Sequence, residues 1–362
     1  MSQSSRLTLL AVIVAIVAAI ASLAQTQQQT PAKPAKVSSE ELRRVSRVMT
    51  HFRQAGKDLE KRKAVVQEAI AAGTPAVSAL KDRIWREMTP DLKRYLGKFK
   101  PEAARYVRDR VANTDFAEVA RLREKVLDLQ KQPDFTHEAI VAKADPAMKR
   151  LERLLVFHPA DVLKCSKSLQ ADRDKLMPLG NLWEWCAMAL YNATDKASQP
   201  KTMPSFAKYL EDEEELAVTA VTPMDPATRA SLDANVLLAT LIDVEEARCI
   251  QALNHTRNML GLSALVIDLR LCAAARDHSK DMKEKGFFSH ESPVEGKKTP
   301  WDRAKRFGTS ASAENIYAGS TEGKEANSAW FHSPGHHVNM LGGHKRVGVG
   351  RREGHFTEMF GG

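Results

Sequence analysis

From Ser38 to about Thr240 the apolar residues of this chain return at intervals of three and four, and no alternating stretch of strand length interrupts them. A segment so patterned buries one stripe per helix and has no face suited to a sheet, so it must fold as helices packed on helices. Leu42, Val45, Met49 and Phe52 trace the first stripe behind a capping-box pattern at Ser38 and Glu41. Gly73 reads as a helix stop, Thr74 as the next cap, and Val77, Leu80 and Ile84 as the next stripe. Phe116, Val119, Leu122, Val126 and Leu129 give a third, and Asp145-Pro146 opens a fourth with Met148, Leu151 and Leu155. No fixed period holds for three units, which argues against a solenoid repeat. The aromatic cluster around Trp183 and Trp185 reads as core packing.

The 362 residues suffice for two cores. A formal net charge of +9 is spread among interleaved acidic and basic residues, which argues against a phosphate-binding stripe and hence against nucleic acid as a partner. At the N-terminus Arg6 precedes the apolar run Leu7 to Ala24, followed by a Gln/Pro/Lys-rich linker over 25–37. This pattern predicts an export signal over 1–24, either cleaved or retained as an anchor in contact with the membrane. The remainder is then extracytoplasmic: periplasmic, secreted or membrane-anchored. Four widely spaced cysteines form no metal knuckle and no redox pair. They form either two disulfides, Cys165 with Cys186 and Cys249 with Cys272, or a set of small buried hydrophobes.

The loop Val221 to Arg229 marks a boundary region, giving a helical domain over 38–235 and a second domain over 243–362. In the second, glycine becomes frequent and eight of the eleven histidines fall between Asn254 and His355. Two helices come first, one ending at Gly261 and one presenting Leu271, Ala275, His278 and Met282 on a single face. The short extended "ALVID" lies between them, and "RVGVG" and "HFTEMF" close the chain as a hairpin. Helices followed by a terminal hairpin make this an α+β domain. Trp301 and Trp330 read as core anchors, and His337 and His344 as solvated.

The ordered motifs "LNHTRNMLGLSALVID", "GFFSHESP", "TPWDRAKRFG", "AENIYAG", "AWFHSPGHHVNML", "VGVG" and "GHFTEMF" resemble the CAP superfamily, also known as the SCP or cysteine-rich secretory, antigen 5 and pathogenesis-related 1 family, in its bacterial form. The resemblance implies an α-β-α sandwich with an open cleft, lined by two histidines and two acidic residues that in some members hold a divalent cation. By motif, it places His290 and His355 on the histidine positions and Glu314 on the first acidic position. Ser333 falls on the second, and "SPGHHVN" brings His336 and Asn339 into that neighbourhood. Ala313 replaces the glycine before the first glutamate, and Glu358 stands where glutamine or alanine is usual.

The candidate cleft is therefore His290, Glu314, Asn315, Ser333, His336, Asn339 and His355. Asn315 reads as an organiser of backbone around Glu314. Two imidazoles and a carboxylate, His290, His355 and Glu314, have the chemistry to hold zinc or another divalent ion; the same group is complete without metal as an ion pair. His332 and His336 have the spacing of a zinc pair, but Pro334 between them opposes a regular turn. No nucleophile elbow or thiol site is present. The preferred expectation is a ligand-binding protein, taking a lipid, sterol-like molecule or cell-wall fragment, or an envelope partner. A metal-assisted hydrolase or peptidase with His290, Glu314 and His355 as catalytic candidates is the alternative, and a structural envelope protein with a vestigial cleft is the third.

Overall fold

The computed structural model describes residues 38–196, 198–199 and 203–362. The expected export signal over 1–24 and the linker over 25–37 lie outside the described residues. Among those described, no helix is long and apolar enough to cross a membrane. The chain divides into two compact units, one of residues up to Lys93 with Asp174–Tyr209, the other of Arg94–Arg173 with Leu210–Gly362.

The first unit contains α1 (Ser39–Gln54), α2 (Leu59–Ala72), the beginning of α3 (Thr74–Ala112) and the end of α8 (Lys167–Ala193). The expected capping box starts α1: the Ser38 hydroxyl accepts from Glu41 N, and the Glu41 carboxylate accepts from Ser38 N. Gly73 ends α2 at a φ of 101°, where a β-carbon would be strained. Val48, Phe52, Val66, Val77, Leu80, Ile84 and Leu182 form the core, so the stripes pack as their spacing demands, although Leu42 stays exposed.

The second unit does not follow the change in sequence texture at Asp243. Its helices α4 (Phe116–Leu127), α5 (His137–Ala139), α6 (Asp145–Leu155), α7 (Pro159–Cys165), the greater part of α9 (Phe206–Val221) from Leu210 on, and α10 (Pro226–Leu238) come from the expected helical domain. α4, α6 and the segment between them join the elements of the C-terminal third because their stripes share one core: Val119, Val126, Leu129, Ile140 and Leu151 cluster with Ile250, Leu253, Trp330, Val347 and Phe356.

Beyond them lie α11 (Val244–Met259), β1 (Val266–Ile267), α12 (Leu269–Lys285), α13 (Pro300–Arg306), β2 (Ala313–Ala318), α14 (Gly323–Phe331), α15 (Pro334–Leu341), β3 (Arg346–Arg352) and β4 (His355–Gly361). The sheet order is β1-β3-β4-β2, with β1 parallel to β3 and the other pairs antiparallel. β2 opposes β4 from Ala313↔Phe360 to Ala318↔His355. β4 is buried along nearly its whole length, because both faces of the sheet are covered. This removes the alternation that betrays a half-exposed strand. On one face α12 lies so close that a β-carbon at Gly348 or Gly350 would come within 2.3 Å of Cys272 N or 2.0 Å of Arg276 N; the glycines of "VGVG" make that approach possible. The other face carries Val347, Val349, Phe356 and Phe360 into the core with α11 and α14.

Several expectations are decided or change, among them that Trp185 packs in the core: it is 41% exposed. All four cysteines are free thiols, with Cys186, Cys249 and Cys272 buried as small apolar groups and Cys165 exposed. Trp330 is a core anchor, its Nε1 donating to Ile316 O at 2.9 Å, but Trp301 is 58% exposed: it lies two residues from the inward Arg303 on α13, and such positions do not share a helix face. His337 is buried against Phe331, ring centroids 4.6 Å apart, and His344 stacks on Phe360 at 4.6 Å.

Candidate functional site

β2 is an edge strand, and Glu314 projects from it toward the loop that precedes α13. Thr299 caps α13 through its hydroxyl, which accepts from Asp302 N at 3.2 Å, and Pro300 occupies its first turn. This aims Arg303 inward. Its Nη2 donates to both Glu314 oxygens, at 2.8 and 2.6 Å, and the two side chains are 0% and 1% exposed. The guanidinium is fixed from behind by the carbonyls of Lys297, Lys298 and His290, at 2.9, 3.2 and 3.0 Å. A buried pair of this kind holds only if each charge is fully met, and nearly every polar atom here is, save Arg303 Nε.

His290 completes the group from the loop side, its Nδ1 lying 3.0 Å from Glu314 Oε1 while the side chain remains 49% exposed. The second histidine beside it is His336 of α15, whose ring centroid is 6.3 Å from that of His290. Burial, and then the neighbouring His290, push the His336 imidazole below its ordinary range. Arg257 holds α15 there by donating to the carbonyls of Met340 and Gly342 at 2.7 and 2.9 Å. Beneath the group, His278 is fully buried on α12, with Nε2 donating to Ser289 O at 3.1 Å. Burial, with Arg303 also lowering it against the opposing pull of Glu314, brings its imidazole down to about 4.

His355 is not brought to this group. Glu314 stands opposite Met359 and His355 opposite Ala318, an offset of four residues and so about 13 Å along the strand. Nothing in a one-dimensional motif match reveals such a register. Asn315 points to the opposite face from Glu314, since successive strand residues alternate. There it donates to Glu358 Oε2 at 2.9 Å, and its Oδ1 accepts from Asn339 Nδ2 at 2.9 Å. The backbone organiser is Asn339, whose Nδ2 also meets Glu314 O at 3.2 Å. Ser333 precedes α15 without a side-chain capping bond. As Pro334 foretells, the chain breaks between α14 and α15, and His332 turns away from His336 to pair with Asp145 at 3.0 Å. Arg303 was the residue that sequence reasoning missed; "TPWDRAKRFG" belonged to the matched motifs, but an arginine in an amphipathic helix carries no signal of burial.

The arrangement does not suit the metal that the resemblance implied. Both Glu314 oxygens are committed to Arg303, His355 lies apart, and no group of three His, Cys, Asp or Glu side chains among the described residues is placed to hold an ion. A catalytic zinc needs three protein ligands with an open position. A cleft of about 850 Å³ elsewhere in this unit is lined by Arg110, Lys149 and Arg153 among others. It adjoins the C-terminal ends of α3 and α6, where Arg110 donates to Arg153 O at 2.6 Å; basic side chains there answer the carbonyls that helix ends leave free.

Comparison with known proteins bears on the same region. Residues 250–357 match the family model described as CAP, the cysteine-rich secretory protein family. "Uncharacterized protein YkwD" of Bacillus subtilis (strain 168) is 35% identical over 128 residues, covering 34% of this chain and 49% of that protein. The chain thus spans about half the length of that curated relative. Among solved structures, an extracellular protein containing a SCP domain from Bacillus anthracis str. Ames is 28% identical, over 38% of this chain and 44% of that one, with a TM-score of 0.32. An outer surface protein from Borrelia burgdorferi is 22% identical, over 33% of this chain and 95% of that one, with a TM-score of 0.29. By its family match, its 35% identity to the Bacillus subtilis protein and the order of its motifs, this chain carries a CAP domain of the cysteine-rich secretory protein family at residues 250–357.

Proposed function

We propose that the chain is an exported, extracytoplasmic binding protein whose CAP domain takes a lipid, a sterol-like molecule, a cell-wall fragment or an envelope partner in the cleft beside His290 and His336. The observation that carries this reading is the state of Glu314: a buried carboxylate already met by Arg303 and His290 offers neither a free general base nor an open ligand position. What remains accessible is the half-exposed imidazole of His290 on a rigid, satisfied base, which suits recognition. Export is supported by Arg6 and the apolar run Leu7 to Ala24. The hydrolase alternative needs His290, Glu314 and His355 around one ion, and the strand register works against it.

The test is direct binding of the purified chain to lipid vesicles, sterols and soluble peptidoglycan fragments, beside His290→Ala and His336→Ala. Saturable binding that weakens about tenfold in either variant, the loss of one good polar contact, is the expected result. No binding to any of these, with all three proteins folded, would refute the reading.

A further inference from the structure

Positive charge beside a buried carboxylate can be supplied by a metal ion or by the protein itself. In this cleft Arg303 meets both oxygens of Glu314 and is in turn fixed by three backbone carbonyls. A guanidinium so held is a permanent, non-exchangeable cation. Both oxygens of Glu314 accept from it, and a carboxylate engaged in this way has no hydrogen to donate. The His290 Nδ1 that lies 3.0 Å from Glu314 Oε1 must therefore be the donor. In the neutral ring the other nitrogen, Nε2, is then the bare acceptor, carried on a side chain 49% exposed.

We propose that Arg303 is the built-in cation of the cleft, taking both Glu314 oxygens that a divalent ion would need, and that it fixes His290 as an acceptor for a hydroxyl or N–H group of the ligand. Arg303 acts through Glu314 and touches no ligand, so it is a positioning residue. The inference rests on the reading of the cleft as a binding site, but its test needs no ligand. Ring-nitrogen correlation spectra of the full chain at pH 7.5, assigned with His290→Ala, are expected to show His290 protonated at Nδ1 and bare at Nε2. Arg303→Gln strips Glu314 of its guanidinium. The freed carboxylate then gives zinc alone, followed by calorimetry, about tenfold tighter binding than in the wild type. A wild-type His290 protonated at Nε2, or a variant unchanged in zinc affinity, would overturn the proposal. Should Arg303→Gln not fold, the wild-type spectrum decides alone. A cleft that binds none of the lipids, sterols or cell-wall fragments would sink the binding reading yet leave these ring states in place, so the two failures are distinct.

Discussion

Replacing Glu358 by glutamine isolates a fully buried acid on β4. Glu358 is 0% exposed on β4, its Oε2 accepts from Asn315 Nδ2 at 2.9 Å, and its Oε1 has no partner among the described residues. Burial pushes the carboxyl up to about 8, against smaller downward pulls from the Asn315 hydrogen bond and the charge of Arg257. In the unfolded chain the same group titrates near 4.3. A group whose folded value is raised contributes stability that is complete below the unfolded value and is lost as pH climbs through the folded one. Between about pH 4.3 and 8 folding must therefore take up a proton, and by pH 7 this costs roughly 3 to 4 kcal/mol relative to a side chain that is always neutral. Glutamine has the same shape and keeps an acceptor for Asn315. The assay is guanidinium unfolding of the full chain, wild type beside Glu358→Gln, at pH 5, 6, 7 and 8. The advantage of the variant should grow steadily over that window, with the CAP domain unfolding later at pH 8. A difference that stays constant with pH would refute the argument, since it would mean that the carboxyl is ionised in the folded protein throughout.

His278 gives the opposite pH limb. Its folded imidazole is brought down to about 4, so stability is intact above the ordinary value near 6.5 and is lost as pH falls toward 4, by about 3 kcal/mol; His278→Gln should flatten that acid limb in the same unfolding assay. Gly350→Ala tests the close approach of α12 to the sheet. The added β-carbon would lie 2.0 Å from Arg276 N and 2.4 Å from Arg276 Cα, both backbone, so the helix must shift, and a loss of roughly 3 kcal/mol read by thermal unfolding is expected.

Much of the architecture was legible because helices and caps are local. The Ser38 capping box and the stripe through Val77, Leu80 and Ile84 each concern residues within a turn or two, and packing followed the stripes. β2 was harder to read: its buried faces leave no alternation, and only the family motif pointed to that stretch. The allocation of α4 to α7 to the C-terminal unit was hidden, because a stripe records that a face is apolar and not what covers it.

The sequence by itself determined the helical segment, the terminal hairpin, the family of the C-terminal domain and the place of His290 and Glu314 within it, because each rests on short-range periodicity or on an ordered string of motifs. Only the tertiary structure decided which groups meet. Strand register carried His355 away from Glu314, the inward face of α13 brought Arg303 onto it, and α15 delivered His336 to the side of His290. The physical reason is that charge neutralisation and ligand geometry are properties of distance. Arg303 and Glu314 are eleven residues apart in the chain and 2.6 Å apart in the fold, and no pattern along the sequence encodes that number.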